Sequence, residues 1–426
     1  MKLRLIFLVV GLYGITILGQ TRIKVMSYNL MHYPGTLYYN DATNTFEDRT
    51  PVLKNILDTY EPDLFAVCEL KNSTGAGQIL NEALQTPDDR YNAADFVYNQ
   101  SSTYTELQQL IFYNQQKLLL NNQAIITTNI RDINHYSFIL NTIDHNTNPI
   151  YLEVFVAHLK ASSGSDNETK RLQMVTEFTN YIENIPTDHY LLFVGDLNLY
   201  YDNEPAYQEL IDSTNNIVLV DPIDREGYWH NSSSYADIHT QSTLQNNSQF
   251  QSENGGSDGV TGGLDDRFDF ILTSENLING SSLTYVPNTY KSYGNNGNCF
   301  NDNINDSDCS GEYSQYLRDQ LANMSDHLPV VMELETPETI GINQYHSQYL
   351  IKILGSYLVN AVISLEVPVE LIDTNIRIYN QFGQQVLQKH ITDTNESFSI
   401  SHLNSGLYYI TSEQFSLHSP LKFIKI

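Results

Sequence analysis

Leu191-Leu192-Phe193-Val194-Gly195-Asp196-Leu197-Asn198 is the stretch on which the reading of this chain turns. Four consecutive apolar residues form a strand-like run. Asp196 and Asn198 follow it, and at a strand's end residues two apart project from the same side of the backbone. A carboxylate and a carboxamide would then emerge together at the mouth of a sheet. Alone the pair says little, because Asp-x-Asn is common in turns. It gains weight from other polar residues that stand in the same relation to other strand-like runs.

Asn29 follows Met26-Ser27-Tyr28, Glu69 follows Ala66-Val67-Cys68, and His158 ends Phe155-Val156-Ala157. Arg267-Phe268-Asp269 begins another run, and Ser325-Asp326-His327 precedes the last one. These residue types suit a hydrolase. Asn29, Glu69 and Asp326 offer hard oxygen ligands for Mg²⁺ or a similar ion. Such an ion neutralises a phosphate and stabilises the charge of its transition state. An imidazole near pH 7 takes a proton from water, and a carboxylate partner holds its tautomer; His327 with Asp269 would make such a pair. His158 would be a second imidazole, contacting the phosphate or protonating the leaving group. Taken singly, each of these has a bland reading as a solvated turn or a satisfied structural side chain. The argument lies in the set.

From Arg22 to about Glu335, strand-like and helix-like stretches alternate. Residues 22–28 alternate polar and apolar side chains. Thr50-Pro51 has the form of an N-cap followed by proline at the first helical position, with Val52, Leu53, Ile56, Leu57 and Tyr60 at helical spacing after it. Further strands are predicted at 64–68, 151–157, 190–194, 268–272 and 330–334, and a helix at 166–185. The class expected is α/β, sheets with helices packed outside them. Residues 232–263, rich in Ser, Asn, Gln and Gly, read as a long mobile loop. Cys299 and Cys309 bracket a similar loop and are candidates for a disulfide in an oxidising compartment. Its Asn/Asp run at 301–308 could hold Ca²⁺, but a polar loop without an ion is favoured, since the spacing does not fit an EF-hand. Cys68, inside an apolar run, reads as a buried small side chain.

The 426 residues carry 22 Lys+Arg against 50 Asp+Glu, a net charge of −28. That repels phosphate backbones at long range and argues against a basic DNA-coating protein. It does not exclude a nuclease, because a bound cation supplies a local positive field. Met1-Lys2-Leu3-Arg4 and the apolar stretch from Leu5 to Leu18 form a signal peptide over 1–19. At about 14 residues the stretch is short for the ~20 needed to span a bilayer, and no later segment is long and apolar enough. Residues 337–350, opening with Pro337-Glu338-Thr339, read as a linker. Short strand-like runs and turn residues then mark 351–426 as a separate small β domain.

In order and local context, Ser27-Tyr28-Asn29, Glu69, Gly195-Asp196-Leu197-Asn198, Arg267-Phe268-Asp269 and Ser325-Asp326-His327 resemble the motifs of the endonuclease/exonuclease/phosphatase superfamily, which includes deoxyribonuclease I. The resemblance covers residues 20–336 and implies a four-layer α/β/β/α sandwich. It implies Asn29, Glu69 and Asp326 at the metal (Mg²⁺, or Mn²⁺ or Ca²⁺), and Asp196 orienting the attacking water. It implies Asn198 on the phosphate, Asp269 orienting His327, His327 as base, and Arg267 beside Asn198 at the substrate. His158-Leu159 fits the deoxyribonuclease, sphingomyelinase and phosphatase branches, whereas the abasic-site endonucleases have Asn there. Tyr113 matches a mid-chain catalytic aromatic by position only, and a core role is favoured. Residues 376–384, 400–410 and 422–426 resemble a type IX secretion C-terminal sorting domain, a β-sandwich read by the secretion machinery, with an ordinary β accessory module as runner-up.

The expectation is a secreted or cell-surface, monomeric, metal-dependent phosphodiesterase with nucleic acid as substrate. A phosphatase or sphingomyelinase-like phospholipid phosphodiesterase is the alternative, and a non-catalytic surface binding protein the remote one.

Overall fold

Alternation along the strand Tyr190–Asp196 sorts its side chains onto two faces. Leu191 and Phe193 pack with Phe155, Met174 and Phe178, whereas Leu192 and Val194 pack with Val154, Val156 and the core around Tyr28 and Val67. Burial on both faces is why this strand is a continuous apolar run. The computed structural model describes residues 21–340 except 87, 103–106 and 247, and residues 351–426 except 355–357, 368–370 and 413–420. The predicted signal peptide and most of the predicted linker lie outside the described residues. The chain divides into two units, 1–341 and 342–426.

Nine strands build the two sheets of the first unit: β1 (Thr21–Tyr33), β2 (Leu64–Leu70), β3 (Gln108–Asn114), β4 (Leu118–Ile126), β5 (Ile133–Leu140), β6 (Tyr151–His158), β7 (Tyr190–Asp196), β8 (Asp269–Ser274) and β9 (Val330–Thr336). Shorter strands extend both edges. One sheet runs β9-β1-β2-β3 at its centre, the other β8-β7-β6-β5-β4. Helices α1 (Thr50–Tyr60) and α3 (Gln315–Met324) bury Val52, Leu53, Ile56, Leu57, Leu317 and Leu321 against the first sheet. Helix α2 (Ser165–Ile182) buries Met174, Val175, Phe178 and Ile182 against the second. The result is a four-layer α/β/β/α sandwich.

Helix α1 begins at Thr50 with Pro51 behind it, but Thr50 is not its cap. The Asp48 carboxylate accepts the Thr50 N–H at 2.7 Å, while the Thr50 hydroxyl pairs with Tyr33 at 2.5 Å. The expected mobile loop at 232–263 is also corrected. It contains a 3₁₀ turn, Ser233–Ile238, and a strand, Phe250–Ser252, and Thr240, Gln241, Ser242 and Thr243 are buried. Two of its buried hydroxyls are satisfied by backbone partners. The Thr240 hydroxyl accepts the Phe268 and Asp269 N–H groups at 3.1 and 3.2 Å, and the Thr243 hydroxyl donates to Ser325 O at 2.7 Å. Tyr113 is a core residue, its ring 5.1 Å from Phe138.

Cys299 and Cys309 are disulfide-bonded, with Cα atoms 5.2 Å apart. Within the loop they close, the Ile304 and Asp306 carbonyls accept hydrogen bonds from Arg318 at 2.8 and 2.7 Å, so these oxygens are engaged by protein. Cys68 is buried, its thiol pushed well up by that burial.

The second unit has a three-stranded and a five-stranded sheet. Ile363 and Leu365 of the first pack with Ile376, Ile378, Ile410 and Phe423 of the second in one apolar cluster. Among the described residues of the chain, no helix is long and apolar enough to cross a membrane.

Candidate active site

Strand register sets the site. In the second sheet Asp196 pairs with His158 of β6 on one side and Asp269 of β8 on the other. All three share the side-chain parity of Leu192 and Val194, so they form a row at one sheet end, turned toward the first sheet. Asn29 and Glu69 come from β1 and β2 opposite. The β2–β3 pairing is irregular between Val67 and Leu70, and Glu69 there takes a left-handed φ of 57°. Such a bulge re-aims a side chain and tends to sit beside functional sites. Gly195 is required by close approach: its φ is 130°, and a Cβ there would meet Ala157 O at 1.9 Å.

His327 Nδ1 lies 2.7 Å from Asp269 Oδ2, and its Nε2 lies 3.8 Å from Asp196 Oδ2. His158 Nε2 is 3.4 Å from that same Asp196 oxygen and 3.9 Å from Glu69 Oε1. Asp196 therefore stands between two imidazoles. Asn198, at a left-handed φ of 49°, donates its N–H to Asp196 Oδ1 at 3.1 Å and its Nδ2–H to Leu159 O at 3.4 Å.

Burial pushes Asp196 up to about 7; Asp269 and Glu69 add to the shift, while His327 and Asn29 oppose it. Burial would lower His327, but the Asp269 charge and hydrogen bond, with Asp196 and Asp326, carry it well above its usual value. His158 is driven well below its usual value by burial, then by Arg131 and His327, and so is neutral. Asp326 is raised, mainly by burial.

Among the described residues, the His, Cys, Asp and Glu side chains close enough to share one ion are Glu69, His158 and Asp196, their ligand atoms within 4.8 Å of one another. Two carboxylates and an imidazole crowded together are a donor set that fits a divalent ion. Buried Asp269 Oδ1 has no hydrogen-bond partner, which adds to the negative character of the site.

This set differs from the ligands expected from the sequence. Asn29 accepts the Met31 N–H on Oδ1 at 3.0 Å and turns Nδ2 inward, 3.1 Å from Glu69 Oε1 and 3.0 Å from Asp196 Oδ2. In this arrangement Asn29 donates to both carboxylates. Asp326 turns Oδ2 away to accept the Val260 N–H at 2.7 Å. Cross-strand register instead brings His158 and Asp196 to Glu69.

Arg267 requires a further correction. It is fully buried, its guanidinium held by Asp221 at 2.7 and 3.0 Å and by Tyr290 at 3.1 Å, and it lies 4.3 Å from the Phe270 ring. It is a structural cation with no face for substrate. Arg267→Ala is expected to destabilise the unit by about 3–5 kcal/mol, because Asp221 would be left buried and unpaired. Thermal denaturation reads this; a KM defect at unchanged melting temperature would contradict it.

Two contributors carry no signal in the sequence. Gln241 Nε2 lies 2.6 Å from His327 Nε2. Arg131 Nε donates to His158 O at 2.9 Å, and the same guanidinium bonds Leu159 O, fixing the end of β6. Only a resemblance that aligned these loops could have pointed to either.

Residues 359–425 match the family model of the secretion system C-terminal sorting domain, which marks the chain as exported, secreted or at the cell surface. No curated protein sequence is similar enough to the chain to count as a match. Solved structures that resemble it include the human Nocturnin catalytic domain with bound sulfate anion, at 15% identity, TM-score 0.42, with 74% of this chain and 97% of that one covered. D. rerio TDP2 complexed with single strand DNA product matches at 16% identity and TM-score 0.43, covering 74% and 100%. An endonuclease/exonuclease/phosphatase from Bacteroides vulgatus matches at 14% identity and TM-score 0.43, covering 74% and 99%. At these values the likeness assigns no residue role.

Proposed function

We propose that the first unit is a metal-dependent phosphodiesterase of the endonuclease/exonuclease/phosphatase type, hydrolysing nucleic-acid phosphodiesters by attack of an activated water. The second unit would hand it to a type IX secretion system. The carrying observation is His327, paired to Asp269 at 2.7 Å and turned toward Asp196 beside Glu69 and His158.

With Asp269 accepting the Nδ1 proton, His327 would act as a base through Nε2 once Nε2 is deprotonated. The carboxylates that raise its proton affinity also strengthen it as a base, and a bound cation would offset part of that rise. Gln241 Nε2 at 2.6 Å supports the same tautomer, since an amide N–H donates to the Nε2 lone pair. Asp196 lies where it can orient a water toward His327. Neutral His158, on its other side, is placed to donate a hydrogen bond to a phosphate oxygen. Glu69 and Asp196 would hold Mg²⁺ or Mn²⁺, leaving His158 Nε2–H for the phosphate. A bound divalent ion supplies charge neutralisation at the phosphate. Asp269→Asn is expected to lower kcat by about 10²–10⁴-fold with KM little changed, because the Nδ1–H loses its carboxylate. Steady-state kinetics check this.

The test is a parallel assay of DNA, RNA, sphingomyelin and inositol phosphates with Mg²⁺, Mn²⁺, Ca²⁺ or EDTA. Metal-restored cleavage of nucleic acid is expected. Cleavage confined to sphingomyelin or inositol phosphates would overturn the substrate, and no turnover with any metal would overturn the enzyme in favour of a binding protein.

A further inference from the structure

Beyond Asn198 the chain continues Leu199-Tyr200-Tyr201, and Tyr228-Trp229-His230 runs antiparallel beside it, with Tyr201 bridged to Tyr228. Trp229 anchors this second strip: it is fully buried and donates to Leu199 O at 2.7 Å. The flanking rings form a ladder. Tyr200 sits edge-on to Phe268 at 5.0 Å, and Phe268 directly precedes Asp269. Tyr200 meets His230 at 5.0 Å, and His230 meets Tyr228 at 6.1 Å. Tyr228 is stacked on Tyr201 with centroids 5.6 Å apart and planes 9° from parallel. The ladder thus starts at the candidate active site and ends in Tyr228, 58% exposed.

Tyr228 is held rather than loose. His230 Nδ1 is tied to Asp266 at 2.5 Å, and the Tyr201 hydroxyl donates to Glu168 at 3.0 Å. Beneath Tyr200 lies the buried Arg171–Glu204 pair at 2.7 Å, with the guanidinium 5.6 Å from the Tyr200 ring. Arg171 also donates to Lys160 O at 2.8 Å, joining the ladder to the loop after His158. That loop brings cations together with the carboxylates Glu168 and Glu204. Lys160 lies among Arg131, Lys170 and Arg171, in a chain whose net charge is −28.

A fixed, exposed aromatic face is a surface on which nucleotide bases stack. A phospholipid headgroup or an inositol phosphate has no π face for the ring. A base within a duplex offers only its edges, whereas an unpaired base offers its face. We infer that Tyr228, backed by Tyr201 and His230, is a stacking platform for an unpaired base of a single-stranded nucleic acid. This rests on the phosphodiesterase reading above and narrows it.

The test compares a short single-stranded oligonucleotide with an oligomer of equal length whose sugars all lack bases. Affinity is read by fluorescence anisotropy in EDTA, and kcat/KM with Mg²⁺, for wild type, Tyr228→Ala and Tyr228→Phe. Tyr228→Ala is expected to weaken the base-bearing oligomer about 5- to 100-fold, to leave the baseless one unchanged, and to be rescued by Tyr228→Phe. Equal behaviour of the two oligomers in wild type and Tyr228→Ala, with both still cut, overturns the platform and leaves the hydrolase standing. Failure of wild type to cut either oligomer with metal overturns the hydrolase reading and the platform with it.

Discussion

Replacing His327 by alanine is expected to lower phosphodiester turnover by about 10²–10⁴-fold, the range a positioned general base contributes. The loss should appear in kcat. The imidazole is 3% exposed and held between Asp269 at 2.7 Å and Gln241 at 2.6 Å, which places it inside the site and not on an outer surface. Its removal also leaves Asp269 buried without its partner, which costs about 1–3 kcal/mol. That loss lowers the melting temperature without abolishing a core built on two sheets and the helices packed outside them. Near-normal kcat in purified, folded His327→Ala would remove it as the base. A variant unfolded at assay temperature is replaced by Asp269→Asn, which keeps the volume and a polar partner for Nδ1.

The second large effect belongs to Glu69. Glu69→Ala is expected to weaken divalent-ion binding and lower kcat/KM by about 10²–10³-fold, comparable to loss of one element of transition-state charge stabilisation. Glu69 lies at the irregular β2–β3 pairing with a φ of 57°, so the backbone is shaped around its direction rather than its packing. Little loss of stability should accompany the loss of function. The same cluster predicts a pH dependence. Asp196 is pushed up to about 7 by burial and by its neighbouring carboxylates. The metal-free protein therefore holds a proton there below about pH 7, and a bound cation favours the ionised form. Binding then releases protons, and affinity rises with pH up to about 7 before levelling off. Calorimetry of Mn²⁺ binding in buffers of different ionisation heat measures the release directly. Proton uptake, or affinity falling across pH 5–7, would contradict it.

Much of this site was legible because its residues stand at the ends of apolar runs. Asp196, His158 and Asp269 could each be marked as strand-terminal from local pattern alone. That they form one row depends on register, in which Asp196 is opposite His158 and Asp269 at once, and no local pattern encodes which strands pair. The same gap explains the revised ligand set. Asp326 belongs to a recognisable motif, yet its carboxylate is turned by an N–H from Val260, 66 residues away. Arg267 looked available for substrate because it adjoins Asp269; its partner Asp221 lies 46 residues earlier and takes it out of reach. Gln241 and the Tyr228 ladder come from loops whose composition signals only irregular structure. Of the fold, β3, β4 and β5 are not among the expected strands; in β4 the polar centre, Asn122-Gln123, suits a sheet-edge strand and breaks the apolar pattern.

The reaction proposed is metal-dependent hydrolysis by a His327-activated water. Its most direct test is single-turnover cleavage of a DNA oligonucleotide in ¹⁸O-water, with mass analysis of the new phosphate end. One ¹⁸O per cut is expected with Mg²⁺, no cleavage in EDTA, and a rate lowered by at least 10²-fold in His327→Ala. Cleavage that persists in EDTA, proceeds unslowed in His327→Ala, or leaves the phosphate free of ¹⁸O would contradict the account.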